Sequence, residues 1–323
     1  MRKTSKLIAI GEALIDFIPQ ESGKPIKQVG SFAPKVGGAP ANVCGVFSKM
    51  GQQSQLITQL GMDPFADKIL DEFQSNGIGC EYISRTDRAN TSLAFVALQE
   101  DGNREFSFYR NPGADMLLEA DCIQKEWFAD ADVLHFCSVS LGDFPMKDAH
   151  KRAIEYAREQ GAIISFDPNL RPALWKDLEE LRRTVLEFLP YADILKISDE
   201  ELEFITGKKT IEEAREILWQ GQVKLVIYTK GGNGAEAYTR TENAQSPSVA
   251  KNVIDTTGAG DAFIGAFLYQ ITRDQITSAG LDIISAADLK GYLDCANRYC
   301  GRSVARHGAI DSYPDQEEAD TIF

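Results

Sequence analysis

The segment Asp255-Thr-Thr-Gly-Ala-Gly-Asp-Ala-Phe-Ile-Gly-Ala-Phe267 has the residue types to do chemistry on an anion. Small residues crowd Gly258, Ala259 and Gly260, and an amphipathic pattern begins directly after them. This predicts free amide N–H groups at a helix N-terminus, where a partial charge of about +0.5 suits a phosphate or a developing anion. Asp261 stands at the mouth of that nest. A lone Asp there would be read as an N-cap. The small residues before it and a second acid, Asp255, point instead to a base beside a phosphate cradle, the arrangement that phosphoryl transfer uses.

A second segment, Gly37-Gly-Ala-Pro-Ala-Asn42, has paired glycines that let backbone approach a ligand closely. Asn42 could bond a sugar hydroxyl. On its own the segment reads equally well as a tight turn ahead of a helix. Other nucleotide signatures are missing. Gly207-Lys-Lys-Thr210 resembles the end of a P-loop, but position 202 is Leu where Gly is needed. No G-x-G-x-x-G follows a strand, which removes the main support for a dinucleotide-dependent dehydrogenase.

The elements that must position these segments alternate. Short apolar strands are expected at Leu7–Ile10, Gln55–Gln59, Val133–Cys137, Ala162–Phe166, Ile194–Ile197 and Leu225–Thr229. Helices are expected at Ala39–Lys49, Pro64–Ser75, Lys147–Gln160, Leu174–Phe188, Ile211–Gln220, Asp261–Thr272 and Ala287–Arg306, with Asp63 as an N-cap and Gly51, Gly77, Gly161 and Gly221 after helix ends. This rhythm predicts an α/β fold with a mostly parallel sheet and helices on both faces. Two stretches, 17–36 and 91–110, break it with β-type residues. The second reads as a hairpin, Ser92–Leu98 and Glu105–Tyr109, turning near Asp101-Gly102. They are expected to form a small β-sheet lid inserted in a single domain over residues 1–323.

The net charge of −14 argues against non-specific nucleic-acid binding, which needs a basic face. The six cysteines form no C-x-x-C pair and are expected to be buried free thiols, and three scattered histidines are too few for a zinc site. No apolar run reaches the ~18–20 residues of a membrane span, and the N-terminus lacks a signal-peptide core. A cytoplasmic protein with no membrane partner is expected.

Together, Gly37-Gly-x-x-Ala-Asn42 and Asp255-Thr-x-Gly-Ala-Gly-Asp261 resemble the two signatures of the ribokinase (pfkB-type) carbohydrate kinases. The resemblance runs from Ile10-Gly-Glu-Ala-Leu-Ile-Asp16 to Arg306-His-Gly-Ala309. It is nearest to the bacterial fructokinase branch, through Phe108-Tyr-Arg-Asn-Pro-Gly-Ala-Asp115, Phe166-Asp-Pro-Asn-Leu-Arg-Pro172 and Lys196-Ile-Ser-Asp-Glu-Glu201. It implies a ribokinase-like fold, a sugar substrate, ATP and Mg²⁺, K⁺ as an activator, and a homodimer. In the catalytic role it implies Asp261 as the base, with Gly258 and the amides of Ala259, Gly260 and Asp261 forming the anion hole. For the sugar it implies Asp16, Gly38 and Asn42, with Arg110 and Arg171 touching sugar or phosphate; both arginines also read as structural ion pairs. For the nucleotide it implies Thr229, Gly231, Gly234 and Asn297. Around a monovalent cation it implies Asp255, Thr257, Ser303, Arg306, Gly308 and Ser312, partly through carbonyls.

One departure concerns Mg²⁺. Relatives carry Asn-x-x-Glu, whereas this chain reads Ser198-Asp-Glu-Glu201, so only Glu201 carries over as a water-mediated Mg²⁺ contact. The residues 199–201 also read as an acidic first turn of a short helix. Fructose is the first choice of substrate. 2-Keto-3-deoxygluconate, ribose and nucleosides are alternatives on the same fold, as is a catalytically silent sugar- or nucleotide-binding regulator.

Overall fold

The computed structural model of the protein describes residues 4–21, 23–98 and 104–323. In chain order the elements are β1 (Lys6–Ile10), β2 (Leu14–Pro19), β3 (Phe32–Gly37), α1 (Ala39–Lys49), β4 (Gln53–Gly61), α2 (Pro64–Ser75), β5 (Ile83–Thr86), β6 (Leu93–Leu98) and β7 (Arg104–Tyr109). There follow β8 (Val133–Cys137), α3 (Met146–Glu159), β9 (Ile163–Asp167), α4 (Leu178–Phe188), β10 (Ile194–Ser198), α5 (Asp199–Thr206) and α6 (Ile211–Leu218). The chain closes with β11 (Leu225–Thr229), β12 (Ala235–Tyr238), β13 (Asn243–Ser246), α7 (Ala259–Arg273), α8 (Ala286–Ser303) and α9 (Gln316–Ala319).

Nine strands form one sheet in the order β13-β12-β11-β10-β9-β8-β1-β4-β5. It is parallel from β11 to β5, and only β12, which pairs antiparallel with both β11 and β13 at one edge, is reversed. Alternate residues of each strand face opposite sides, as the pleat requires. On β1, Leu7 and Ala9 join a core with Val43, Phe47, Phe73, Phe267 and Tyr299 beneath α1, α2, α7 and α8. Ile8 and Ile10 join a second core with Phe136, Phe166, Phe188 and Leu218 beneath α3, α4, α5 and α6. Helices therefore cover both faces. The architecture is therefore α/β, a mostly parallel sheet between two helical layers, with the smaller sheet described next.

The stretches that broke the alternation build that sheet, in the order β3-β2-β6-β7. Its two antiparallel pairs are joined by a parallel pairing of β2 with β6, Asp16 opposite Ala94. The aromatic rings of Phe17 and Phe95 stack at 4.5 Å on it. The expected hairpin turn at Asp101-Gly102 lies outside the described residues.

Several boundaries differ from the sequence-based expectation. The helix expected from Leu174 starts at Leu178, because Pro172–Leu174 close a 3₁₀ turn and Asp177 then caps, accepting from the Glu179 amide at 2.9 Å. The last long helix stops at Ser303 rather than Arg306. The β5, β12 and β13 strands are four residues each and carry no apolar run to reveal them. The cysteines are free, but Cys122 is exposed, contrary to the expectation of burial. No helix among the described residues is long and apolar enough to cross a membrane.

Candidate active site

Ligands of parallel α/β sheets gather at the C-terminal ends of the strands. Here those ends present Glu12 just after β1, Asp167 at the end of β9, Ser198 at the end of β10 and Thr229 at the end of β11. The N-termini of α1 and α7 open at the same place, and they carry the two glycine segments.

At the first segment the backbone is fitted to glycine. Gly38 has φ 121°, and a Cβ there would lie 2.4 Å from the Glu12 carbonyl oxygen. A Cβ on Gly37 would lie 2.1 Å from Asp16 Oδ2. The pair therefore lets β3 pass tightly beside Asp16. Burial pushes the Asp16 carboxyl up to about 6, partly offset by the Arg171 guanidinium. No protein donor serves Asp16 among the described residues, so its oxygens are open to hydroxyl donors.

At the second segment Gly258 adopts φ 71° and caps α7 through its backbone, while the Tyr313 hydroxyl donates to its carbonyl at 3.1 Å. Asp261 is inside the first turn and is not the cap. The Ala259 amide donates to the Thr256 carbonyl at 3.2 Å, so of the expected anion-hole donors it is already engaged. The amides of Gly260 and Asp261 have no protein acceptor among the described residues, and Ala262 is the first to bond back, to Gly258 at 2.8 Å. The nest is thus centred on Gly260 and Asp261.

Asp261 itself is 6% exposed. Burial raises its carboxyl above the ordinary carboxylate range; a hydrogen bond from Asn42 and the charges of Lys196 and Arg171 work against that rise. Asn42 Nδ2 donates to Oδ2 at 2.8 Å and Asn169 Nδ2 to Oδ1 at 3.4 Å. Asn42 Oδ1 is buried without a partner. A buried acceptor left unpaired is costly, and this one is left for a donor from outside the chain. A base that is buried, oriented from both sides and adjacent to a preformed anion hole has the geometry to accept the proton of an attacking hydroxyl.

The α1–α7 contact creates this arrangement. A Cβ on Gly265 would lie 2.7 Å from Val46 Cβ, so the helices touch closely there. One helical turn back along each, toward both N-termini, stand Asp261 and Asn42.

Other expected residues fall as follows. Arg171 is exposed and donates to the Leu170 carbonyl at 2.9 Å, with its charge felt by Asp16 and Asp261. Arg110 is instead 4% exposed and engaged within the protein. Its guanidinium pairs with Asp115, donates to Val139 O at 3.2 Å and Ser140 Oγ at 3.1 Å, and lies over the Phe144 ring. Arg110 is thus held in a buried ion pair rather than presented as a lone charge.

Glu201 is 8% exposed and closes a capping box with Ser198. Its Oε2 accepts from the Ser198 amide at 2.8 Å and its Oε1 from the Leu170 amide at 2.9 Å. The acid thus starts α5, as the first-turn reading expects, and holds the loop after β9. No cluster of metal-ligating side chains occurs among the described residues. A hard cation held mainly by phosphate and water, with one carboxylate nearby, fits that donor set; a dedicated cage does not.

Of the residues expected at the nucleotide, Thr229 ends β11, and Gly231 and Gly234 shape the turn into β12 with φ 50° and 91°. Asn297 on α8 is buried and donates to Ser246 Oγ at 2.9 Å, tying α8 to the end of β13. Around the expected cation site, Asp255 Oδ1 accepts from the Thr257 amide at 2.9 Å and Oδ2 from the Gly308 amide at 2.9 Å, so the two loops are joined. Ser303 and Ser312 share a 2.8 Å hydroxyl contact. The Arg306 side chain turns away to Glu318, which leaves only its backbone for such a site.

Asn169, Asp167, Lys196, Glu12 and Gly265 carry no assigned role in the sequence reading. The usable signal for the first three was their place at, just inside or just past the ends of parallel strands.

The chain compares with known proteins as follows. A model of the pfkB family carbohydrate kinases matches residues 4–316. The chain is 40% identical over 314 residues to a protein named probable fructokinase-2 of Arabidopsis thaliana, covering 97% of this chain and 94% of that one. Its fold superposes with TM-score 0.90 on a fructokinase with bound ATP from Xylella fastidiosa, at 34% identity, covering 99% and 98%. It superposes with TM-score 0.87 on a double-mutant fructokinase from Vibrio cholerae O395 in a form with fructose, ADP and potassium ion bound, at 31% identity, covering 100% and 99%. The chain belongs to the pfkB family of carbohydrate kinases.

Proposed function

We propose that the protein transfers the γ-phosphoryl group of ATP to fructose, giving fructose 6-phosphate and ADP. The observation that carries this is the buried Asp261 carboxylate, oriented by Asn42 at 2.8 Å beside the free amides of the α7 N-terminus. The fructokinase relatives supply the sugar.

The sugar lies between Asp16, Gly38 and Asn42, with Asp16 accepting from its hydroxyls and Asn42 Oδ1 accepting another. Asp261 takes the proton from the attacking hydroxyl as its oxygen bonds to the γ-phosphorus and the bond to the ADP oxygen breaks. The Gly260 and Asp261 amides face the charge that spreads over the phosphoryl oxygens. Arg171 stands at the exposed rim of the same site. Glu201 would hold waters of a Mg²⁺ ion, which when bound to ATP neutralises phosphate charge. Asp255, Thr257, Gly308 and Ser312 would frame a K⁺ ion beside the α7 entrance. Thr229, Gly231, Gly234 and Asn297 border the nucleotide.

The chain is a single kinase domain whose small sheet closes over the sugar and excludes water as a competing acceptor. Its outer strands β3 and β7 offer edges for pairing with a second copy, so a homodimer is part of the proposal. The protein is placed in the cytoplasm.

The test is ADP release from ATP with Mg²⁺ and K⁺ against fructose, 2-keto-3-deoxygluconate, ribose, glucose and adenosine. Turnover with fructose far above the rest is expected. Turnover confined to 2-keto-3-deoxygluconate would reassign Arg171 to its carboxylate. Silence across the panel, with sugar binding intact, would favour a binding protein.

A further inference from the structure

Lys196 stands on β10, just before the strand ends, with its ammonium buried beside the entrance of α7. Its Nζ is 2.9 Å from Asp167 Oδ2 and 3.1 Å from Oδ1. The side chains are 8% and 1% exposed. A Cβ on Gly260 would lie 3.4 Å from the same Nζ. The ammonium therefore lies beside the anion hole, about one methyl group away from Gly260.

A buried ion pair is a poor way to stabilise a fold, since apolar residues of equal size often do as well or better. This pair sits in neither core; it sits where strands β9 and β10 end at the site. Desolvation works against the Lys196 charge, but the carboxylates of Asp167, Glu201 and Asp261 outweigh it and keep the lysine protonated. Asp167 is pushed up by burial to about 7, with the lysine pulling the other way. An ammonium has three donors, and Asp167 is the sole protein partner of this one among the described residues. The neighbouring Gly260 amide is also without a protein acceptor.

We propose that Lys196 is a further catalytic residue, whose ammonium, held in place by Asp167, contacts the phosphoryl group in flight at the N-terminus of α7. The inference rests on the kinase reading above. Lysine keeps its proton throughout; the sugar hydroxyl's proton goes to Asp261. A fixed unit charge supplements the partial charges of the amides where negative charge is redistributed, in a site that excludes water. Asp167 is a positioning residue: it aims the ammonium and takes no part in bond making.

The test compares Lys196→Met, Lys196→Arg, Asp167→Asn and the double variant Lys196→Met with Asp167→Asn. The double variant leaves no unpaired buried charge, so it keeps the experiment readable if a single change unfolds the chain. Expected for Lys196→Met and for the double variant is a fall in kcat of about 10²–10³, with the fructose KM within about threefold of wild type. Lys196→Arg is expected to recover part of the rate, and Asp167→Asn to lose less than Lys196→Met. Affinity for ADP with aluminium fluoride and fructose is expected to fall in step with kcat, which a purely structural role would not produce. A folded double variant with wild-type kcat overturns the inference while leaving the kinase reading intact. Lack of wild-type turnover on every sugar overturns the kinase reading instead. Binding then decides this inference: a non-hydrolysable ATP analogue losing its advantage over ADP in Lys196→Met supports it, and an unchanged advantage overturns it.

Discussion

Asn42 and Asp261 lie 219 positions apart and share a buried 2.8 Å hydrogen bond that joins the two glycine segments into one site. The amide donor favours the charged form of the base, and the other end of the same side chain is left as an unpaired acceptor. Hydrogen bonds to charged groups contribute about 1.5–3 kcal/mol. Asn42→Ala is therefore expected to lower kcat/KM by about 10- to 100-fold. Without the donor, the acidic limb of the pH profile moves to higher pH. Steady-state kinetics between pH 5 and 9 check both, and an unmoved limb would separate Asn42 from the base.

Asp261→Ala is expected to fold normally and lose a factor of about 10²–10⁴ in rate. Removing a buried carboxylate held above its ordinary pKa relieves a desolvation cost, so the melting temperature at neutral pH should not fall. Near-wild-type turnover in this variant would remove Asp261 from the mechanism.

The close approach of α1 and α7 makes a prediction away from the chemistry. Gly265→Ala places a Cβ 2.7 Å from Val46 Cβ, and the helices must separate. Overpacking of this kind costs about 1–3 kcal/mol. Since Asn42 and Asp261 lie one turn along, kcat should fall as well, although Gly265 touches no substrate. Parallel denaturation and kinetic measurements check this; loss of stability with full kcat would uncouple the packing from the site.

Glu12 predicts a pH-dependent stability. Burial holds its carboxyl up to about 7, against an ordinary value of 4.5, while Arg110 works in the opposite sense. It accepts from the Ala39 amide at 3.3 Å and from Ser140 Oγ at 3.2 Å. Between those pKa values the folded chain binds more protons than the unfolded chain. Its contribution is therefore fully present below the unfolded pKa and is lost as pH rises through about 7. Glu12→Gln should gain stability over wild type at pH 8, by at most about 3 kcal/mol, and the gain should shrink toward pH 5. Urea denaturation at both pH values checks this; a constant difference would show that Glu12 does not titrate as described.

The local elements were legible in the amino-acid sequence because their causes are local. Ala39–Lys49 and Pro64–Ser75 run as the apolar spacing, Pro64 and the Asp63 cap require, and β8 and β11 run as their apolar residues require. The glycine nest and its acid were legible for the same reason: a left-handed Gly258 and a helix start are decided within a few residues. Strand–helix alternation then restricts the fold to a parallel sheet covered on both faces. What tertiary structure alone decided is which side chains meet. Arg110 reads as a ligand contact or as half of an ion pair in sequence terms, and only the fold names its partners, Asp115, Val139 and Ser140. The same holds for Lys196 against Asp167 across neighbouring strands, and for Gly265 against Val46, whose contact brings Asn42 to Asp261. Such pairs depend on strand order and on how closely two helices pack, and those are properties of the whole core rather than of any short segment.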